Sequence, residues 1–506
     1  MELFDDFTRR GGLATVRAVT ESIKLFVSQE IAKFDPGTER TLLRTSLIQS
    51  KFEHFLKPTV VSKRMIVQNS KSGILMLPLP SGWIEYLNKS SSLDSVGFKV
   101  DKLLYYSKSL NLQLKSFGRL VLVLLTKKKV APLLKVFGNQ SIIVIGHVKE
   151  SIYFDGDNED DWTYHTWSKK NEITGSSTLF LTEIQFMQLL IMNLSREGEI
   201  RRIKNNARHF LNALRRVFAV ELSIEERVLA FEQIFYSELV SVAFEKRTPL
   251  KIQFTESIGC RRPYWSYEAE RLGATLEFRF FANCATLSLP ARLEVPSQFA
   301  LYTWRKILAV SDWQIRAIPS TNVLGQNVSF ANTGVPWFKD HRDFKIPELD
   351  RYLVIFDYEV PRNYFSYSSL MDLGLADPKC NRLFLQAILE VCSSANLMVY
   401  HKQKRELPIK LQSLNPLDRF EKYLNRDTYK IVPPSVSPHR LISRAIGVIS
   451  LPPTSTGLIG KQMGVPSIYF DPTGNVCKND PALDSVTLVN SKEGLSQWVS
   501  SLKGTS

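Results

Sequence analysis

The chain has 506 residues, of which 44% are hydrophobic and 23% are charged, and this balance excludes a disordered or fibrous protein. Its formal net charge of +15 favours an anionic partner, namely nucleic acid, an acidic membrane surface, or a phosphorylated or carboxylated substrate, although charge also serves solubility. The five cysteines form no CxxC pair, which argues against a disulfide framework or structural zinc site and favours a reducing cytoplasm.

Residues 1–140 form the first region, and their pattern predicts mainly helix with short extended pieces. The opening residues lack a signal-peptide pattern, and no apolar run approaches the roughly 18 residues that span a bilayer, so we expect a cytoplasmic protein. Residues 117–138 place a Leu/Val run beside Lys127, Lys128 and Lys129. This run indicates a peripheral contact with an anionic inner-membrane surface or, alternatively, a buried strand followed by a charged loop.

Residues 141–345 have a mixed pattern that predicts an α/β domain. The acidic stretch at 154–162 lacks the spacing of an EF-hand, so we interpret it as a solvated loop. Residues 320–347 are rich in Asn, Gly and polar residues, which is typical of a linker. The other expected elements are a buried strand at 141–147, long helices at 182–216 and 223–245, and strand-like segments at 250–254 and 276–282.

Residues 346–506 are the most regular part of the chain, because short strands alternate with short helices. That alternation predicts a doubly wound parallel sheet. The expected strands are 351–357, 397–402, 429–432, 447–451, 466–470 and 486–490, and the expected helices are 380–396, 416–425, 437–445, 455–464 and 492–503. The fold class is therefore α/β, with two Rossmann-like domains facing a cleft and an extra, mainly helical N-terminal region.

Ligands of open parallel sheets bind beyond the carboxyl ends of the strands, so the residues that follow each strand are the candidates for a site. After the strand at 447–451, the sequence PPTSTG brings Thr454, Ser455, Thr456 and Gly457 to the start of a helix. Hydroxyls and uncommitted backbone amides at a helix N-terminus suit a phosphate, and Ser455 or Thr456 can also cap the helix. The alternative is an ordinary Ser/Thr cap without a ligand.

Basic residues follow two neighbouring strands of the same predicted sheet. Lys402, Lys404 and Arg405, in HKQKR, follow the strand at 397–402, and His439 lies in SPHR after the strand at 429–432. Such cations can bind the same anion through charge-assisted hydrogen bonds. The alternatives are a solvated basic loop for HKQKR and a capped helix with an outward histidine for SPHR.

The middle domain offers a second candidate site after the strand at 250–254. Glu256 is a carboxylate at a strand end that can act as base or nucleophile. Arg261 and Arg262 can bind a carboxylate or phosphate through both guanidinium nitrogens, and the nearby aromatic residues can stack on a sugar or base. The alternative is a structural Glu–Arg pair with aromatic packing under a helix.

Several common catalytic motifs do not occur in the sequence, namely GxGxxG, GxxxxGK[ST], HExxH and GxSxG. Dinucleotide oxidoreductases, P-loop enzymes, zincins and serine hydrolases therefore lose support. We expect no metal centre and no resident cofactor.

Four segments together resemble bacterial surface-carbohydrate biosynthesis proteins, which make O-antigen or capsule. The segments are ESIGCRRPYWSYEAERLGA, LVIFDYEVPR, VYHKQKR and ISLPPTSTGLIGKQMGVPSIYFDPTG. The layout is similar to that of two-domain GT-B glycosyltransferases that use CMP-activated acidic sugars, such as Kdo transferases and sialyltransferases. The resemblance covers about residues 250–506, with PPTSTG in its most specific segment.

The resemblance implies a GT-B fold whose C-terminal domain holds the donor nucleotide. Thr454, Ser455 and Thr456 would contact the donor phosphate, while Lys402 and Arg405 would neutralise the phosphate or the sugar carboxylate. His439 would correspond to the histidine of a His-Pro pair, although the order here is Pro-His. Glu256 would be the catalytic carboxylate, as nucleophile or general base.

Three functions follow from these patterns. The first is transfer of an acidic sugar, Kdo or another nonulosonic acid, from a CMP donor to a lipid-linked or oligosaccharide acceptor. For this function we expect no nucleic-acid partner. The second is a UDP-sugar-dependent transferase or epimerase of the same fold. The third is a non-catalytic scaffold that binds polyanions or a membrane.

Overall fold

The computed structural model describes the parts of the chain that contain its main helices and strands. The described ranges are 38–55, 74–77, 81–90, 97–124, 142–146, 152–153, 178–181, 183–194, 199–220, 224–245, 251–256, 261–283, 301–321, 328–338, 351–358, 378–402 and 428–502, with a few single residues or short groups between them (19, 22–23, 25–27, 29–30, 79, 222, 287, 299 and 375).

The N-terminal region is mainly helical in its described parts, with one small parallel sheet. Its helices are α1 (Glu39–Phe55), α2 (Ser81–Ser90) and α3 (Lys102–Leu124), and its strands are β1 (Ile74–Leu77) and β2 (Gly97–Val100). Gln49 of α1 attaches this region to the first α/β sheet, because its Nε2 donates to the Leu301 carbonyl at 2.7 Å and its Oε1 accepts from the backbone N–H of Arg262 at 2.9 Å.

The first six-stranded sheet has the order β5-β3-β6-β7-β8-β9, with all its pairs parallel. The strands are β3 (Ile142–Gly146), β5 (Thr178–Leu181), β6 (Lys251–Glu256), β7 (Thr275–Phe280), β8 (Lys306–Ala309) and β9 (Ser329–Asn332). The associated helices are α4 (Glu183–Leu194), α5 (Glu199–Ala219), α6 (Ile224–Glu245), α7 (Tyr264–Arg271) and α8 (Asp312–Thr321). A separate antiparallel pair joins β4 (Ile152–Tyr153) to β10 (Trp337–Phe338).

The second six-stranded sheet has the order β13-β12-β11-β14-β15-β16, and every pair in it is parallel. Its strands are β11 (Tyr352–Phe356), β12 (Met398–Lys402), β13 (Tyr429–Val432), β14 (Gly447–Ser450), β15 (Ser467–Phe470) and β16 (Thr487–Val489). Its helices are α9 (Pro378–Ser394), α10 (Pro438–Ile442), α11 (Ser455–Gln462) and α12 (Lys492–Ser501), with a 3₁₀ turn at Pro481–Leu483. Renumbered within the sheet, the order is 3-2-1-4-5-6, which is that of Rossmann folds.

Continuous apolar sequence explains why these strands lie inside the sheet. Every residue of β11 and of β14 is buried. Strands covered by helices on both faces are apolar along their whole length rather than at alternate positions. The predicted α/β fold with two Rossmann-like sheets is confirmed.

Three predicted elements differ from the structure. Residues 117–124 were interpreted in one alternative as a strand, but they continue helix α3, because leucine and valine runs do not by themselves distinguish a strand from a helix. The single helix expected at 182–216 is two helices, α4 and α5. The linker expected at 320–347 contains the edge strand β9 and the short strand β10.

Other predictions lie outside the described residues. These are the acidic loop at 154–162, the helix at 416–425, and the lysines at 127–129. No helix among the described residues is both long enough and apolar enough to cross a membrane.

Candidate functional site

The strand order of the second sheet locates the most favourable ligand position. The chain forms β11, β12 and β13 outward in one direction and then returns to place β14 on the other side of β11. Ligands of open α/β sheets bind in the crevice outside the carboxyl ends of the strands at this reversal. The residues that follow β11 and β14 therefore line the crevice, and those after β14 are the predicted phosphate-binding residues.

The turn between β14 and α11 brings three hydroxyl groups together. The Thr456 hydroxyl lies 3.0 Å from the hydroxyls of both Ser450 and Thr454. Thr454, Ser455 and Thr456 are half-buried, so they are not sealed inside packing. The prediction that Ser455 or Thr456 occupies the cap position is wrong, because Thr454 has an extended backbone and helix α11 begins at Ser455.

The backbone N–H groups at the N-terminus of α11 can donate to a ligand. The Thr454 side chain makes no cap hydrogen bond. Among the described residues, no side chain accepts from the backbone N–H groups of Ser455, Thr456 or Gly457. The first N–H groups of a helix have no intrahelical partner, and the helix dipole favours a negative charge there. The geometry therefore suits a phosphate.

Gly457 serves the packing of α11 against the sheet. A Cβ atom on Gly457 would lie 2.5 Å from Cε1 of Tyr469, a ring that is fully buried under the helix. The Tyr469 hydroxyl donates to the Thr454 carbonyl at 2.7 Å, and burial raises the pKa of Tyr469, so this donor keeps its proton. The Tyr358 hydroxyl also donates to the Pro452 carbonyl. These contacts fix the position of the turn.

The basic segment after β12 is only partly described. His401 is fully buried, with Nδ1 2.6 Å from the Tyr429 hydroxyl and Nε2 3.2 Å from Oδ2 of Asp357. Lys402 is buried at the carboxyl end of β12, in register with Phe356 of β11. Lys404 and Arg405 lie outside the described residues. Of the three predicted cations, Lys402 is the one that can be placed at the sheet edge.

The carboxyl edges of the two sheets face each other. The backbone N–H of Asn283, just beyond β7, donates to the Ser455 hydroxyl at 3.0 Å. Gln462 of α11 donates to the Val310 carbonyl beyond β8 at 3.0 Å and accepts from the Val335 N–H beyond β9 at 3.0 Å. The predicted phosphate site therefore lies at the contact between the two domains.

His439 belongs to the same contact. It is buried, and its Nε2 lies 3.3 Å from the Val335 carbonyl, to which it donates. Burial lowers the pKa of His439 to about 4, so the ring is neutral at physiological pH. A neutral, buried histidine that already bonds the other domain has no positive charge to offer a phosphate. This geometry favours a role for His439 in the domain contact rather than in donor binding.

Glu256 is the last residue of β6, and its backbone is in register with Phe280 of β7. Strand β6 is next to β3, where the strand order of the first sheet reverses. The chain continues from Phe280 to Asn283, which contacts Ser455. The Glu256 backbone therefore lies at the edge of the first sheet that faces the second sheet.

Arg262, by contrast, is fully engaged inside the first domain. It is 1% exposed and donates to Ser266 at 3.1 Å, to the Thr303 carbonyl at 2.8 Å and to Glu270 at 2.7 Å. Its guanidinium carbon lies 3.9 Å from the centre of the Tyr267 ring. The geometry favours the structural alternative for Arg262, and we assign it no contact with substrate.

Arg261 is paired with Glu183 of α4, with two nitrogen–oxygen distances of 3.2 Å. Trp265 is fully buried and donates to the same carboxylate at 2.9 Å. Because Tyr264 is buried as well, the aromatic cluster packs beneath α7 and is not a stacking surface for a ligand. Arg261 is less buried than Arg262, so its predicted contact with substrate stays a prediction.

Three contact residues around the site are not indicated by any motif in the sequence. Asn283, Gln462 and Tyr469 hold α11 in place through hydrogen bonds that join different segments of the chain. The position of Asn283 just beyond a predicted strand could have indicated its role, because residues that follow a parallel strand line the ligand crevice. Within the described residues, no group of three or more His, Cys, Asp or Glu side chains is arranged to hold a metal ion.

Similar solved structures include, by their names, a UDP-GlcNAc 2-epimerase and a UDP-forming synthase. The UDP-GlcNAc 2-epimerase of Methanocaldococcus jannaschii is 10% identical, with a TM-score of 0.36, and the match covers 71% of this chain and 91% of that chain. The UDP-forming α,α-trehalose-phosphate synthase of Burkholderia vietnamiensis is 10% identical, with a TM-score of 0.29 and coverages of 73% and 92%.

A third similar structure is the glycosyltransferase SnogD of Streptomyces nogalater, which is 9% identical, with a TM-score of 0.31 and coverages of 72% and 93%. No curated protein matches the sequence. The fold assignment rests on the two strand orders described above.

The model of the polysaccharide biosynthesis PFTS motif proteins matches residues 213–499, which is more than half of the 506 residues. The match includes β6, α7 and the whole second sheet, and it confirms at this general level the resemblance to surface-carbohydrate biosynthesis proteins. The chain belongs to the family of polysaccharide biosynthesis PFTS motif proteins.

Proposed function

We propose that this protein is a GT-B glycosyltransferase that moves an acidic sugar, Kdo or another nonulosonic acid, from a CMP donor to a bacterial surface glycan such as O-antigen or capsule. One observation carries the proposal. The start of α11 has no side-chain cap and presents half-buried hydroxyls where the strand order reverses, opposite the edge of the other domain. Membership of a polysaccharide biosynthesis family supports the same direction.

The donor phosphate binds at the start of α11. Backbone N–H groups of Ser455, Thr456 and Gly457 donate to its oxygens, as at other helix N-termini that hold anions. The hydroxyls of Thr454 and Thr456 add donors, since each rotates to suit its partner. Lys402 supplies positive charge from the neighbouring strand, and Lys404 and Arg405 follow it in the sequence.

The Ser455 hydroxyl accepts a hydrogen bond from Asn283, so it links donor binding to the position of the first domain. This arrangement brings the sugar of a bound donor toward the edge of the first sheet. Glu256 ends a strand at that edge and is the carboxylate that we assign to the chemistry.

In the reaction, the bond between the anomeric carbon and the phosphate oxygen of CMP breaks. A bond from an acceptor hydroxyl oxygen to that carbon forms, directly or after a covalent intermediate on the carboxylate. Glu256 accepts the acceptor's proton when it acts as general base, or attacks the anomeric carbon when it acts as nucleophile. In the second case, the acceptor oxygen then displaces Glu256 from that carbon, and the freed carboxylate takes the acceptor's proton. CMP leaves with its negative charge stabilised by the α11 amides and the basic residues, so we propose that no metal ion or cofactor is needed.

Glu256→Gln tests the catalytic assignment. We expect loss of CMP release from a CMP-activated nonulosonic acid, with unchanged affinity for CMP, because the amide keeps the shape but neither takes a proton nor attacks carbon. Glu268→Gln is the control, since the half-buried Glu268 pairs with the exposed Arg271 at the end of α7. Loss of CMP binding in Glu256→Gln would contradict the catalytic role and make Glu256 structural.

A UDP-sugar transferase or epimerase remains the alternative, because a helix N-terminus binds phosphate and does not distinguish cytosine from uracil. Thermal unfolding with CMP or UDP separates the two. A ligand at 100 times its Kd stabilises the folded protein by about 2.7 kcal/mol. Stabilisation by CMP and not by UDP supports the proposed donor, and the reverse result contradicts it. If neither nucleotide stabilises the protein, the proposed activity is wrong and a binding scaffold becomes the better account.

A further inference from the structure

Helix α3 exposes five large apolar side chains to solvent. Leu103, Tyr106, Leu110, Leu114 and Phe117 are 85%, 59%, 55%, 60% and 61% exposed. Their spacing of three and four residues places them along one side of the helix. Single exposed apolar residues are ordinary, but a continuous row on one helix face indicates an interaction surface. We call these five residues the α3 stripe.

The opposite face of α3 packs Leu112 and Leu120 against the core and carries polar groups that hold the helix in this orientation. Ser116 is buried and donates to Glu232 of α6 at 2.5 Å, and Arg119 donates to both oxygens of the same carboxylate at 2.5 and 2.6 Å. Glu232 is 1% exposed. Rotating the helix to bury the α3 stripe would remove the partners of a buried carboxylate, which is strongly unfavourable. The outward direction of the stripe is therefore built into the fold.

The charges of α3 are all positive. The helix contains Lys102, Lys108, Lys115 and Arg119 and no acidic residue. Lys102 and Lys115 are exposed, as are the residues of the stripe that flank them. The whole chain carries a net charge of +15. An apolar row bordered by lysines matches the interface of an anionic bilayer, where apolar side chains enter the acyl boundary and lysines contact the headgroups.

We propose that the α3 stripe docks on the surface of an anionic phospholipid bilayer, with α3 parallel to the membrane. The helix has 23 residues and is about 35 Å long, so it gives an extended line of contact. Pairing with a second copy through the stripe is disfavoured, because two helices with only positive charges would repel each other. A nucleic acid would use the lysines and leave the five apolar side chains exposed to water.

This inference is independent of the proposed donor, because vesicle binding can be measured without any nucleotide sugar. The full-length protein is mixed with vesicles of phosphatidylglycerol and phosphatidylethanolamine, or of phosphatidylcholine alone, and the bound fraction is measured by co-sedimentation. We expect binding to the anionic vesicles that weakens at high salt, and much weaker binding to the neutral ones. Equal binding to both vesicle types, or no binding to either, would overturn the proposal.

The variant with Leu110→Ser and Leu114→Ser tests the stripe itself. We expect about a tenfold or larger loss of vesicle binding, because two apolar side chains no longer enter the interface. Leu383→Ser is the matched control, since Leu383 is 41% exposed on α9 of the second sheet, and it should bind as the parent does. Unchanged melting temperatures verify that these exposed substitutions leave the fold intact.

Two results for the stripe variant contradict the inference. One is vesicle binding equal to that of the parent protein. The other is a parent protein that is a dimer in light scattering and becomes a monomer in the stripe variant, which would make the stripe an interface between copies.

Discussion

Helices α7 and α11 begin at similar positions in the two sheets, but the polar groups at their N-termini have different hydrogen-bond partners. Each has eight residues, follows a strand at the carboxyl edge of a parallel sheet, and lacks a side-chain cap from its N-cap residue. At α7, the Gln233 side chain accepts from the Tyr264 N–H at 2.9 Å, and Gln49 accepts from the Arg262 N–H. At α11, the backbone N–H groups of Ser455, Thr456 and Gly457 have no side-chain acceptor among the described residues.

This difference separates a structural cluster from a ligand site. Both starts contain residue types that suit an anion, arginines at α7 and hydroxyls at α11. At α7, Arg262 is buried and both arginines are already bonded within the protein, whereas the hydroxyls at α11 are half-buried and face a neighbouring domain. The residue types therefore indicate what a site can bind. The burial of those residues and their existing hydrogen bonds decide whether they are available to a ligand.

Arg262→Met gives the largest expected effect and tests the structural assignment at α7. The change leaves the Thr303 carbonyl and the Glu270 carboxylate without their buried donor. We expect the free energy of unfolding to fall by about 3 kcal/mol or more. Denaturant unfolding measures it. Arg271→Met, at the exposed end of the same helix, should cost less than about 1 kcal/mol. Equal effects of the two changes would contradict the comparison.

The pH dependence of stability tests the contact between the domains. Burial lowers the pKa of His439 to about 4 from an unfolded value near 6.5, so between these pH values the unfolded chain binds a proton that the folded protein does not. Stability is therefore complete above about pH 6.5 and falls as the pH decreases toward 4, by up to about 3 kcal/mol for this group.

His439→Gln isolates this contribution, since glutamine can donate to the Val335 carbonyl and does not titrate. The difference in unfolding free energy between pH 7 and pH 4.5 should be smaller in His439→Gln than in the parent protein. The same difference in both proteins would mean that His439 is not buried in the domain contact.

Gly457→Ala tests the packing role of a residue that sequence alone assigned to donor binding. The added methyl group would meet the buried Tyr469 ring, so we expect the free energy of unfolding to fall by about 1–3 kcal/mol. Thermal unfolding without ligand measures this loss. A variant with unchanged stability would contradict the packing role.

Gly118→Ala gives the smallest expected effect, with the opposite sign. Apart from its chain neighbours and the backbone of α3, no atom of the described residues lies within 4 Å of a Cβ placed on Gly118, in the interior of α3. We expect a gain of about 0.5–1 kcal/mol, since alanine has the higher helix propensity. The same thermal unfolding assay applies. A loss of stability similar to that of Gly457→Ala would show that contact with Tyr469 is not the cause there.

The second sheet is largely predictable from the sequence because its strands are short, apolar and separated by turn residues. The strands expected at 429–432 and 447–451 are β13 and β14 to within one residue. The strand-end rule then brings Thr454, Ser455 and Thr456 to the correct edge. Residues 320–347 were not predictable in the same way, since the edge strand β9 is mostly exposed and its polar sequence reads as a loop.

The hydrogen-bond partners of the candidate site residues could not be predicted from the sequence. Nothing in the local pattern shows that Arg262 meets Thr303, or that Asn283 meets Ser455, because these contacts join residues that are far apart in the chain. The exposure of the α3 stripe was unpredictable for the same reason, because it depends on a contact with a distant residue. A Leu-rich helix is expected to bury its apolar residues, and α3 buries Leu120 but leaves the α3 stripe exposed. The contacts of its other face with the buried Glu232 explain this orientation.

Calorimetric titration with CMP and with cytidine tests the central claim, that a nucleotide phosphate binds at the start of α11. The account predicts that CMP binds and cytidine does not, and that Thr456→Val lowers CMP affinity by about tenfold, because a charge-assisted hydrogen bond contributes roughly 1.5–3 kcal/mol. Ser501→Ala, an exposed hydroxyl change on α12, should leave it unchanged. Equal affinity for CMP and cytidine, or full CMP affinity in Thr456→Val, would contradict the account.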